Sequence, residues 1–202
     1  KKIEDWENLE VAYFIIALNY KSRDYGKAIK YINSSISLVK ETNPKRYADA
    51  LGQLINIHYY HHKFDLVLEN IDIYFENKLD EKVEFPNSNV MKYFPILLKC
   101  YKYFSLAMLN KEYSKKDFNA LMIKAENITK ELEKGVQENR WFFLDSHFNF
   151  IYYKITNDIK YLEAANRFII RDAKWYENKS MKLEFLNEPI PKAIVEEWEK
   201  VK

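Results

Sequence analysis

Turn-forming residues are scarce: three glycines (Gly26, Gly52, Gly135) and five prolines punctuate 202 residues. A sandwich of short strands needs far more of them, so helices joined by short turns are expected. A single cysteine, Cys100, excludes an internal disulfide and makes a reducing, cytoplasmic setting the expectation. The longest apolar stretch, Val11 to Leu18, falls well short of the roughly eighteen residues that would span a bilayer, so no membrane segment is expected. Neither sign of charge dominates: 32 Lys and Arg face 30 Asp and Glu, intermixed along the chain. That pattern leaves no electrostatic footprint for nucleic acid. There is no glycine-rich phosphate loop, no metal motif and no activated nucleophile, so the chain is expected not to be an enzyme and to need no cofactor. It opens Lys1-Lys2 rather than on methionine, from which a fragment of a longer protein is expected.

What is present is apolar and aromatic. Hydrophobic residues make up 48% and aromatics 16%, enough to build a core and to exclude disorder. The spacing predicts a first helix capped by Asp5, with Trp6, Leu9, Tyr13, Ile16 and Tyr20 on its packed face. After a turn at Lys21 to Asp24, a second helix carries Tyr25, Ala28, Ile29, Ile32, Ile36 and Val39 and stops before Asn43-Pro44. The pattern then restarts. Ala48, Leu51, Leu54, Ile55 and Tyr59 mark a third helix, His62-Lys63 a turn, and Phe64, Val67, Leu68, Ile71 and Tyr74 a fourth.

Phe64 stands 39 residues after Tyr25, with Val67 and Ile71 where Ala28 and Ile32 stood. Leu79 to Asn89 interrupts the period. A third pair is expected over Val90 to Leu109 and Ser114 to Lys134, with Ser114 as cap and Pro95 near the start of its first helix. Gly135 ends that pair. A fourth runs from Asn139 to Thr156 and from Asp158 to Asn178, where Tyr161, Ala164, Ala165 and Phe168 echo the opening motif. After a polar stretch at Asn178-Lys179-Ser180, a short helix from Lys192 to Lys202 closes the chain, its Ile194, Val195 and Trp198 placed to cover an end of the stack.

An aromatic after the turn, a small residue three positions on and a large apolar residue four further resemble the tetratricopeptide repeat superfamily, whose minimal unit is about 34 residues. The chain departs from the family's tryptophan-leucine-glycine face, placing Ala12, Ile15 and Ile16 there in the first hairpin. The resemblance covers nearly all of residues 1–202 as one helical-repeat domain. It implies an all-α fold: an α-α superhelix of about four stacked antiparallel hairpins plus a terminal capping helix. It also implies a concave face that holds a peptide or protein segment. Mapped residue by residue, the family's groove positions fall on Tyr13, Ala17 and Tyr20, on Gln53, Asn56 and Tyr60, and on Asn149, Tyr153 and Asn157. Amides there would bond a peptide backbone without selecting its side chains, and tyrosines would add apolar area with a polar tip. The alternative for the amides is turn capping. With Tyr13 and Ala17 in place of a lysine and an asparagine, the carboxylate clamp of heat-shock co-chaperones is not reproduced. A second function compatible with the resemblance is the sensing or oligomerising domain of a bacterial transcriptional regulator or signalling ATPase.

Three other clusters call for a reading. His58 and His62 are spaced to reach one metal from one helix face, but no third ligand accompanies them, and helix-end histidines also cap carbonyls. Asp145, Ser146 and His147 are consecutive and so point apart, which precludes a relay. Arg140 to Leu144, with Phe148, Phe150, Ile151, Tyr152 and Tyr153, reads as a central helix, and Cys100 as a buried small hydrophobe.

Overall fold

The structure, a computed structural model, describes residues 2–82, 94–134 and 144–202. Among the described residues there are eleven helices and no strand, so the protein is all-α. The helices are α1 (Lys2–Tyr20), α2 (Tyr25–Val39), α3 (Pro44–Tyr60), α4 (Phe64–Glu76), α5 (Leu79–Lys82), α6 (Phe94–Met108), α7 (Lys115–Lys134), α8 (Leu144–Thr156), α9 (Ile159–Ala173), α10 (Lys179–Leu186) and α11 (Pro189–Val201). The chain forms two compact units, Lys1–Leu98 and Lys99–Lys202.

In the first unit, side-chain caps set where helices start. Asp24 accepts from the Lys27 amide at 3.0 Å, and Asn43 from the Arg46 amide at 3.1 Å with Pro44 in the first turn behind it. Asn43-Pro44 therefore opens α3, while α2 already ends at Val39. Glu10, midway along α1, meets Arg46 at the start of α3, and Lys21, just past α1, meets Tyr60 and His61 at its end. Those contacts make α1 and α3 parallel. Ser35 late in α2 meets Glu10 while Tyr25 at its start meets His58, so α2 runs against both and packs on both. The turn at 61–63 returns α4 along α3, and α5 closes on α3 and α4.

The core of this unit follows the repeated spacing. Ala28, Ile32, Ser35 and Val39 are buried on α2, and Val67, Ile71 and Tyr74 on α4, the same positions counted from each helix start. α1 departs from expectation. It begins at Lys2, upstream of the expected cap at Asp5, and its buried residues are Glu10 and Ala17. Trp6 is 57% exposed, Leu9 is exposed, and Tyr13, Ile16 and Tyr20 are only half-buried. From Val11 to Leu18 the helix is apolar all round, which gives periodicity no means of choosing its inner face there.

In the second unit, Ser114 caps α7 as expected, accepting from the Asp117 amide at 3.2 Å. Tyr103 of α6 packs on Phe118 of α7 at 5.6 Å, and Phe118 on Tyr152 of α8 at 5.5 Å. α9 buries Leu162, Ala165, Phe168 and Ile169 and packs on α8, α10 and α11. Ala165 is fully buried and Ala164 half-buried, so the echo at Tyr161 keeps its residue types but shifts its inward face. α10 occupies part of the stretch read from sequence as a polar linker, capped by Asn178, which accepts from the Ser180 amide at 2.8 Å. α11 starts at Pro189, three residues earlier than expected, and buries Ile190 and Ile194. Pro95 lies in the first turn of α6, where its missing amide hydrogen costs nothing. The expected segments over 83–93 and 135–143, with Gly135 and Trp141, lie outside the described residues.

Candidate functional site

The groove residues expected from the resemblance are brought together in part. On α1, Tyr13 and Tyr20 both pack against Tyr31 of α2, with ring centroids 6.0 and 6.3 Å apart and the Tyr20–Tyr31 pair stacked at 11°. Between them in sequence, Ala17 is fully buried and lines the core. Gln53 and Asn56 are half-buried one turn apart on α3, and the Asn56 side-chain amide donates to Gln53 Oε1 at 3.4 Å. Tyr60, at the end of the same stripe, is buried, and the Lys21 ammonium sits 4.4 Å over its ring.

On α8, Asn149 is half-buried and Tyr153 is buried. Burial first, then a hydrogen bond to Glu197 of α11, pushes the Tyr153 hydroxyl above the ordinary tyrosine range. Lys154 pairs with the same carboxylate at 2.6 Å, so Tyr153 belongs to an α8–α11 tie. Asn157 adopts φ 58° just past α8, with its amide on the Tyr153 carbonyl at 2.7 Å; it holds a turn.

The histidines are committed to structure. His58 is buried with Nδ1 3.1 Å from the Tyr25 hydroxyl, and burial, reinforced by the neighbouring His61, holds its imidazole down to about 4. His61 donates from Nε2 to the Lys21 carbonyl at 2.8 Å, joining the ends of α1 and α3. His62 takes φ 56° and stacks on Phe64 at 5.6 Å. Among the described residues, no group of three or more His, Cys, Asp or Glu could hold a metal ion. Ser146 and His147 are both buried, the latter ring lying 6.5 Å from Tyr101; the side chain of Asp145 lies outside the described residues. Cys100 is fully buried, and burial raises its thiol far above the reactive range. Phe148, Phe150 and Ile151 are buried, so that part of the aromatic helix is core.

Sequence reading missed two features of this region. Glu10, 3% exposed, accepts from Ser35 Oγ at 2.8 Å and from Arg46 at 2.6 Å, linking α1, α2 and α3 through one carboxylate. No local spacing signals it, since its partners Ser35 and Arg46 lie 25 and 36 residues away in sequence. The second is the lysine set on the tyrosines: Lys27 lies 4.8 Å over Tyr20 and Lys30 5.7 Å over Tyr31. Among the described residues, no helix is long and apolar enough to cross a membrane. No family model matches the chain, and comparison with curated proteins and with solved structures finds no match either.

Proposed function

We propose that the protein is a non-enzymatic interaction module of tetratricopeptide-like kind, whose hairpins stack as an α-α superhelix and hold a peptide or protein segment. The observation that carries this reading is the arrangement of the first unit: α1 and α3 run parallel, and α2 is wedged antiparallel between them on a repeated small-to-large apolar face. Such a hairpin cannot bury its face alone, and stacking turns the first helices of successive hairpins toward one surface. On α3 that helix carries Gln53 and Asn56, half-buried side-chain amides one turn apart, of the kind that can receive an extended backbone. Gly52 on the same helix leaves room for the Phe94 ring, whose Cζ would lie 2.8 Å from an added Cβ.

The test is selection from a displayed random-peptide library on the intact chain, followed by affinity measurement with the double variant Gln53→Ala and Asn56→Ala. A loss of tenfold or more with unchanged helicity is expected. Undiminished affinity, or failure of any peptide to be enriched, overturns the reading. Asn149→Ala, measured separately, shows whether the second unit contributes.

A further inference from the structure

From Asn8 to Asn19 the exposed surface of α1 carries no charge. The one charged residue in that stretch, Glu10, is turned into the core at 3% exposure. Other helices are charged where they meet solvent: α4 shows Asp65, Glu69, Asp72 and Glu76 there, and α9 shows Lys160, Glu163 and Arg167. On α1 the outward positions are Asn8, Ala12, Ile15 and Asn19, all exposed, with Ile15 at 51%. Half-buried Val11 and exposed Leu18 border them. At 3.6 residues per turn these four point about half a turn away from Glu10 and Ala17, the buried side of the helix, which faces α2. They point about a third of a turn away from Tyr13 and Tyr20, so this line is neither the core face nor the groove face. Its steps of four, three and four residues are those of a coiled-coil seam.

We infer that this seam pairs with the same seam of a second copy of the chain, the two α1 helices running antiparallel about a two-fold axis. In that direction the seam is complementary to itself. With the axis between Tyr13 and Phe14, Ala12 of each copy lies opposite Ile15 of the other, a small residue against a large one. Asn8 of each copy lies opposite Asn19 of the other, and each amide offers both a donor and an acceptor. An amide pair within an apolar seam fixes its register. A parallel pair would set Ala12 against Ala12, leave a void there and align the helix dipoles side by side. A charged helix is rejected, because a carboxylate or ammonium seated on Ile15 would lose water without gaining a counter-charge. A lipid surface fits less well, since residues 8–19 hold no lysine or arginine for a headgroup and both asparagines would be left unpaired. The seam runs eleven residue steps, about 16.5 Å. That length falls short of the roughly 800 Å² per partner of a standard stable complex, so the dimer is reversible.

The experiment uses the intact chain. Sedimentation velocity between about 1 μM and 1 mM is expected to show the average mass rising from one chain toward two. Ile15→Glu places its charge on the outward face, leaves the fold intact by circular dichroism and should shift the midpoint of dimerisation at least tenfold upward. Gln53→Ala with Asn56→Ala, which tests the groove, should leave the midpoint where it was. Disulfide trapping reads the direction of the pair. A mixture of Asn8→Cys chains with Asn19→Cys chains should cross-link on oxidation, whereas neither should alone, since like thiols would lie about 16.5 Å apart along the axis. The native Cys100 is fully buried and stays silent. A single mass at every concentration, a midpoint unmoved by Ile15→Glu, or Asn8→Cys chains that cross-link alone as fast as in the mixture would overturn the proposal. So would a monomeric chain that binds phosphatidylcholine vesicles or a leucine-faced helical peptide through Ile15, which would give the seam to a lipid surface or a foreign helix.

Discussion

Removing Arg46 should destabilise the first unit more than removing Glu10, although the two are partners in one ion pair. Glu10 is 3% exposed and cannot reach water, whereas 42% of the Arg46 side chain is exposed. In Arg46→Ala the carboxylate stays buried, with the Ser35 hydroxyl still donating to it at 2.8 Å. Breaking one side of a fully buried pair costs about 3–5 kcal/mol. Solvent already screens the exposed arginine, which lowers the expectation to about 2 kcal/mol. In Glu10→Met the side chain keeps its volume, Arg46 turns to water, and the main loss is the acceptor of the Ser35 hydroxyl, about 1 kcal/mol. Adding Ser35→Ala to Glu10→Met removes that orphan and should return stability to within about 0.5 kcal/mol of the parent. Urea unfolding followed by far-ultraviolet circular dichroism measures all three. If Arg46→Ala costs no more than a surface substitution, or Glu10→Met costs more than Arg46→Ala, the asymmetry argument is wrong.

Three further outcomes are expected. The first unit should lose stability as pH falls from the ordinary histidine value to about 4, because folding holds His58 in its neutral form below its unfolded value. The unfolded state then binds the extra proton, and His58→Phe should flatten that part of the Tm profile. Asp49 behaves in the opposite sense: burial raises its carboxyl above the ordinary range, against the pull of Lys45 and Arg46. Folding therefore favours the protonated form and stability falls as pH rises through that window, so Asp49→Asn should raise Tm at neutral pH and match the parent below the ordinary aspartate value. Lys78 holds φ 50° at the end of α4, a conformation that strains an L side chain. Lys78→Gly should add up to about 1 kcal/mol, after the looser unfolded chain is discounted, in thermal or chemical denaturation.

The parts of the fold that can be read from sequence are those where two local signals agree. Asp24 before Tyr25, and Ser114 before Lys115, combine a capping side chain with an apolar stripe, and both helices begin where that combination places them. α10 offered no such agreement, since only Phe185 is buried on it while Met181 and Leu183 are exposed, and Asn178 resembles a loop residue until its bond to Ser180 is seen. The inward side of α1 was decided by a tertiary contact, the demand of Arg46 and Ser35 for the Glu10 carboxylate, which no spacing rule contains. For the candidate site, residue types were legible and partners were not. Gln53 and Asn56 meet one turn apart as their spacing requires, but the roles of Tyr153 and Asn157 depend on Glu197 and on a left-handed turn.

The burial of Cys100 gives the second unit its own clock. The chain has one thiol, it has no exposed surface, and burial keeps it protonated. A thiol reagent reacts only with molecules that have opened around α6, so labelling rate against reagent concentration separates the frequency of opening from the population opened. A ligand that holds α6 closed slows that reaction. The same residue that excludes a disulfide therefore reports, without any engineered probe, whether a partner stabilises the packing around α6.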